Sequence, residues 1–129
     1  MKKTVILFSL MFSSSVFAQT QAEMNKMAYD NYSKADKQLN LVYGEILKKY
    51  VKDQVFLKKL KVAQNLWIKF RDAQVAAKYP EEDKQYHYGT AFPVCYNISM
   101  QELTEQRTKE LKVWLEKYYD GDVCSGSAR

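Results

Sequence analysis

In residues 60–72, Leu60, Ala63, Trp67 and Phe70 recur at spacings of three and four, the repeat of one helix face, while Lys58, Lys61, Asn65, Lys69 and Asp72 fall on the other side. Gln64 and Arg71 flank the apolar stripe. A helix patterned this way has to cover one side, and the rest of the chain offers only further helices to do it. No segment alternates as a half-buried strand does, and no internal repeat is evident. The expected fold is all-α, a small antiparallel bundle of three to four helices with one long loop.

The first helix should open at Thr20-Gln21-Ala22-Glu23, which has the form of a capping box, and run to about Lys52. Met24, Ala28, Ala35, Leu39, Val42, Ile46 and Tyr50 make its stripe, Gly44 is its weak point, and Asp36, Asn40 and Tyr43 sit on one flank. Asp53 is the expected N-cap of the second helix, and Pro80 ends it near Tyr79, because the residue before a proline is pushed out of the helical region. Residues 79–98 show no period and contain both prolines. A loop of that length in so small a domain is uncommon unless it has a task. A second capping box, Ser99-Met100-Gln101-Glu102, should start a third helix with Leu103, Arg107, Leu111, Trp114 and Tyr118 as its stripe, ending by Gly121.

The N-terminus reads as a targeting segment. Lys2-Lys3, an apolar run through Phe12 and Val16-Phe17-Ala18 form a secretory signal peptide, with cleavage expected after Ala18. The apolar run is shorter than the ~20 residues of a bilayer span, and no cysteine follows the cut to carry a lipid. The expectation is therefore one exported helical domain over residues 19–129, periplasmic or secreted, without a membrane anchor after cleavage. Removing Lys2 and Lys3 from 20 basic residues leaves 18 against 15 acidic ones, a mature charge of +3. That mild charge, with lysines scattered over solvent faces, gives nucleic-acid binding little support.

Export also shapes the reading of Cys95 and Cys124, the only two cysteines. A bond between them would close a loop of about 30 residues and stabilise the chain by roughly 3.5 kcal/mol on the chain-entropy model. A helix over 100–119 would be ~30 Å long, however, while each short flank reaches ~17 Å. An intramolecular bond thus requires a shorter helix or flanks that fold back; a bond between chains, or none, is the alternative. Catalysis is hard to build. There is one histidine, no glycine-rich phosphate loop and no marked carboxylate pair, so neither a metal site, a cofactor nor an enzyme is expected.

Several pieces in order carry a family resemblance: Gln21-Ala22-Glu23-Met24-Asn25; Tyr32, Ala35-Asp36, Leu39-Asn40 and Tyr43; Ala63-Gln64, Trp67 and Phe70-Arg71-Asp72-Ala73; Gly89-Thr90-Ala91; Leu103-Thr104, Arg107 and Glu110-Leu111. Together they resemble the lysozyme inhibitor LprI-type domain family over nearly the whole mature chain. The family pattern has cysteines where this chain has Met27, Val75 and Ser99, so the resemblance is to a divergent member. It implies a small helical exported protein whose partner is a protein, a lysozyme or other cell-wall hydrolase.

An inhibitor of that kind plugs a cleft holding two catalytic carboxylates, commonly with a protruding loop. The candidate partner-binding residues are Glu81, Glu82, Asp83, Lys84, Tyr86, His87 and Tyr88: the aromatic, histidine and lysine groups as donors, the acidic triplet as a complement to a basic enzyme. The plain reading of the acidic triplet is a solvated turn, and of a lone loop histidine an incidental one. Asp36, Asn40, Gln64, Arg71 and Arg107 read better as an interhelical polar network that fixes register than as a binding cleft. Trp67 and Trp114 are expected in the core. Two other readings stay open, an immunity protein against a cell-wall toxin and an accessory envelope protein with no enzyme target.

Overall fold

The computed structural model of the protein describes residues 10–116 and 122–128. Four helices follow one another: α1 (Leu10–Lys49), α2 (Gln54–Lys78), α3 (Lys84–Tyr88) and α4 (Phe92–Lys112), with 3-10 turns at Val113–Leu115 and Val123–Ser125. No strand occurs among the described residues, so the fold is an all-α bundle. Residues 1–9 of the expected signal segment, and Tyr118 and Gly121 of the expected last helix, lie outside the described residues.

The long helices run up, down and up, which makes α1 and α4 parallel neighbours. They lie against each other along the length of α4, and α2 touches that pair more sparsely. Leu39, Val42, Ile46 and Tyr50 of α1 meet Leu60 of α2 and Leu111 of α4 in the buried core, with Tyr43, Phe56, Leu57, Trp67, Trp114 and Leu115 packed around it. Both tryptophans are half-buried at the core's edge rather than within the core. At the α1–α2 turn the chain is locked to the end of α4: Tyr50 Oη donates to the Trp114 carbonyl at 3.0 Å, and the Tyr50, Phe56 and Trp114 rings pack together. Asp53 caps α2 by accepting from the Phe56 amide at 3.0 Å, and α2 stops at Lys78, before Pro80.

Several local expectations are corrected. Thr20-Gln21-Ala22-Glu23 starts no helix, because α1 is already helical there; no glycine or proline interrupts it from Leu10 to Gly44, and elongating a formed helix is easier than nucleating one. Gly44 does not break it either. With 40 residues against the 21 of α4, its N-terminal part runs past the bundle by about 30 Å. Residues 79–98 are not one irregular loop. They hold α3 and the first third of α4, since Pro93 sits in the first turn of a helix, where its missing N–H costs nothing. Ser99 is consequently inside α4, its hydroxyl donating to the Cys95 carbonyl at 3.0 Å rather than capping an end.

The buried line of α2 is also rotated from the expected one. Leu60, Gln64, Arg71 and Val75 are buried and Trp67 is half-buried, while Ala63 and Phe70 face outward. On α4 the line is Ser99, Met100, Thr104, Thr108 and Leu111, with Leu103 and Arg107 at its margin. The Cys95–Cys124 bond is absent; both residues are exposed free thiols. Cys95 lies in the first turns of α4, which carries the chain about 26 Å away by Lys112, and Cys124 sits in the final 3-10 turn.

Candidate partner-binding site

The connection from α2 to α4 is short and braced from within. Asp83 caps α3 by accepting from the Tyr86 amide at 2.9 Å. Gly89 closes it with φ +71°, a left-handed backbone that a side chain would strain, and three residues later α4 begins. The Lys84 ammonium points inward and donates to the carbonyls of Tyr79 and Glu81. Tyr88 Oη accepts from the Glu81 amide at 3.2 Å, and its ring lies 5.3 Å from Tyr79 and 5.8 Å from Phe92. Phe92 reaches Tyr96 at 5.9 Å.

Of the seven residues singled out in this segment, three therefore serve internally, Asp83 by capping α3. Lys84 and Tyr88 are half-buried struts. Tyr86 is the outward one, 81% exposed, and its ring packs edge-on against His87 at 5.1 Å. His87 Nε2 lies 3.7 Å from a Glu81 carboxylate oxygen, while Glu82 is exposed beside them. The site presents a phenol, an imidazole and an acidic run on a rigid turn. Tyr79, Phe92 and Tyr96, which hold that turn against the bundle, carry no motif; only their aromatic density marked the segment.

The five polar residues chosen from the stripe margins fall into two groups that share Trp67. Arg71 is buried and pairs with Asp72 at 2.8 Å and, more loosely, with Asp36 at 4.0 Å. Asp36 in turn accepts from Asn40 at 3.2 Å. Arg107 donates to Gln64 at 3.0 Å and to Glu110 at 3.0 Å. Both guanidinium carbons approach the Trp67 ring, at 5.2 Å for Arg71 and 5.8 Å for Arg107. Tyr32 joins the first group: burial holds its phenol above the usual 10.0, the Arg71 guanidinium partly offsets this, and Asp36 adds to it. Burial alone raises Tyr43.

A family model described as lysozyme inhibitor LprI matches residues 13–111. The chain belongs to the LprI family. No curated protein and no solved structure matches it. Within this LprI chain Val75 and Ser99 are buried and line the same groove between α2 and α4, of about 270 Å³. There the Lys78 ammonium donates to the Ser99 hydroxyl at 2.9 Å, a polar tie between the two helices. Met27 is exposed on the part of α1 that leaves the bundle. Among the described residues no cluster of His, Cys, Asp and Glu is arranged to hold a metal, and no helix is long and apolar enough to cross a membrane.

Proposed function

We propose that the protein is an exported inhibitor of a lysozyme-type muramidase and that the turn carrying Tyr86 and His87 is the part that enters the enzyme's cleft. In this reading residues 1–18 are removed as a signal peptide, and residues 19–129 act in the periplasm or outside the cell as a binding protein without catalysis of their own. The observation that carries the assignment of the site is the pairing of an 81% exposed Tyr86 with a turn in which Tyr79, Lys84, Tyr88 and Phe92 are braced. A turn held in shape before contact loses little freedom on binding, so its donors act at low entropic cost. The Tyr86 hydroxyl and the His87 ring N–H would donate to the paired catalytic carboxylates, displacing the water that normally occupies them. Glu81 and Glu82 would face the basic rim common to such enzymes, and because the mature chain is itself mildly positive, approach depends on this local acidic run.

The test is a lysis assay with muramidases of the vertebrate, invertebrate and goose types, with binding followed by calorimetry. Saturable inhibition of one type, weakened by salt and reduced about a hundredfold in Tyr86→Ala/His87→Ala, is expected. Undiminished inhibition by that variant would move the contact elsewhere, and absence of binding to all three types would move the function to an immunity or accessory role.

A further inference from the structure

The outer face of α2 is apolar where a two-sided helix should be polar. Val55, Val62, Leu66 and Phe70 are 74, 56, 60 and 62% exposed, and exposed Ala73 and Ala77 extend the row. At 100° per residue the six fall within an arc of about 80°, roughly opposite the buried line of Leu60, Gln64, Arg71 and Val75. The row is about 33 Å long. Lys59 lies within it, Lys58 and Lys69 run along one edge, and Lys61 lies further round the helix on that side, all exposed. Asp72 is the single acid on the helix, and Arg71 holds it at 2.8 Å. Among the described residues none of the four lysines is in an ion pair.

We propose that this face of α2 docks on an anionic lipid surface, lying in the plane of the interface with the valine, leucine and phenylalanine row among the acyl chains and the Lys58, Lys59 and Lys69 ammonium groups among the headgroup phosphates. Apolar depth bordered by lysines is the chemistry of an interfacial helix, because the long lysine stems add to the apolar strip while their charges reach outward. Charge selects this occupant. A second copy would set the same lysines against one another across the row, and a basic muramidase would be repelled for the same reason. The proposal stands apart from muramidase inhibition, whose site is the α3 turn at the end of the bundle.

Flotation with vesicles tests it, using the protein purified from the cells that make it and its Leu66→Glu/Phe70→Glu variant, with circular dichroism confirming that the variant is folded. Wild type should float with phosphatidylcholine vesicles containing phosphatidylglycerol, about tenfold less with phosphatidylcholine alone, and about tenfold less again as the double variant. Hydrogen exchange should slow across residues 55–77 only with the anionic vesicles, which separates α2 from any contribution of the N-terminal apolar segment. The double variant should still inhibit lysis. No flotation of wild type, unchanged exchange in α2, or exchange slowed equally by both vesicle types would overturn the proposal. So would a dimer in sedimentation velocity that the double variant dissolves, since it would assign the face to a second copy.

Discussion

Two seams hold the bundle, and they are made differently. Between α1 and α4 the contact is dry: Leu39, Val42 and Ile46 face Leu111, and the polar atoms buried there are threonine hydroxyls of α4. Between α2 and the other two helices Leu60, Phe56 and Leu57 reach the same core, but the rest of the contact is polar: Gln64, Arg71 and Arg107 surround Trp67, and Lys78 ties to Ser99. Apolar contact supplies free energy in proportion to area and tolerates sliding; charge-assisted hydrogen bonds supply less net energy but hold only in one register. The first seam accounts for stability. The second orients α2, and through α2 the α3 turn that follows it.

This contrast is broken most directly at Ile46, which is fully buried. Ile46→Ala should cost about 2–5 kcal/mol in urea unfolding, because the lost side chain leaves a cavity among helices that cannot close on it. Arg71→Met should cost less, roughly 1–2 kcal/mol. Its partners Asp36 and Asp72 keep 42 and 56% of their side-chain surface in water and can be hydrated once the guanidinium is gone, so no stranded buried charge remains. Its distinctive result would be functional, a loss of inhibition larger than the stability loss explains. Equal costs at the two sites would mean that the polar seam carries stability as well as register.

The smaller test lies inside the dry seam. Thr104 is fully buried, and its hydroxyl has no hydrogen-bond partner among the described residues, whereas the Thr108 hydroxyl one turn on donates to the Thr104 carbonyl at 2.9 Å. Thr104→Val keeps the branched shape and removes the unsatisfied group, so it should stabilise the protein by about 1 kcal/mol, while Thr108→Val should not. A destabilised Thr104→Val would show that the hydroxyl finds a partner in solution.

The same contrast explains what the sequence disclosed. The dry seam was legible, because Ala28, Ala35, Leu39, Val42, Ile46 and Tyr50 repeat at helical spacing opposite lysines and all are buried, whereas Met24, the first residue of the same expected stripe, is 40% exposed. The face of α2 was not. That helix is apolar on its outer side as well, so hydropathy placed Ala63 and Phe70 inward and left Gln64 and Arg71 at the margin, whereas partners on other helices draw those two in. Pairing across elements has no period within one element. The α3 turn was marked by composition, but the expected loop ran on to residue 98 although the first turn of a helix suits Pro93. Which of its side chains face outward depended on Lys84 finding two carbonyls, which no pattern announces.

The least costly probe of the polar seam is alkaline pH. Tyr32 touches both kinds of environment: burial raises its phenol above 10.0 and Arg71 pulls it back. The folded state therefore holds the Tyr32 proton more tightly than the unfolded chain does, and the resulting stability is complete below the unfolded value of 10.0 and is lost as pH climbs through the higher folded value. Compared with wild type, Tyr32→Phe should lose less stability above that pH, by a fraction of a kcal/mol because the phenol is only half-buried. Phenolate absorbance separates the causes. Tyr32 should be among the last tyrosines to ionise, together with Tyr43, which burial alone raises. In Arg71→Met, where the apolar stem still covers the ring but the positive charge is gone, Tyr32 should ionise later still while Tyr43 stays where it was. If both move together, Arg71 acts on packing throughout the bundle; if Tyr32 moves alone, its guanidinium acts locally as the charge that orients this seam.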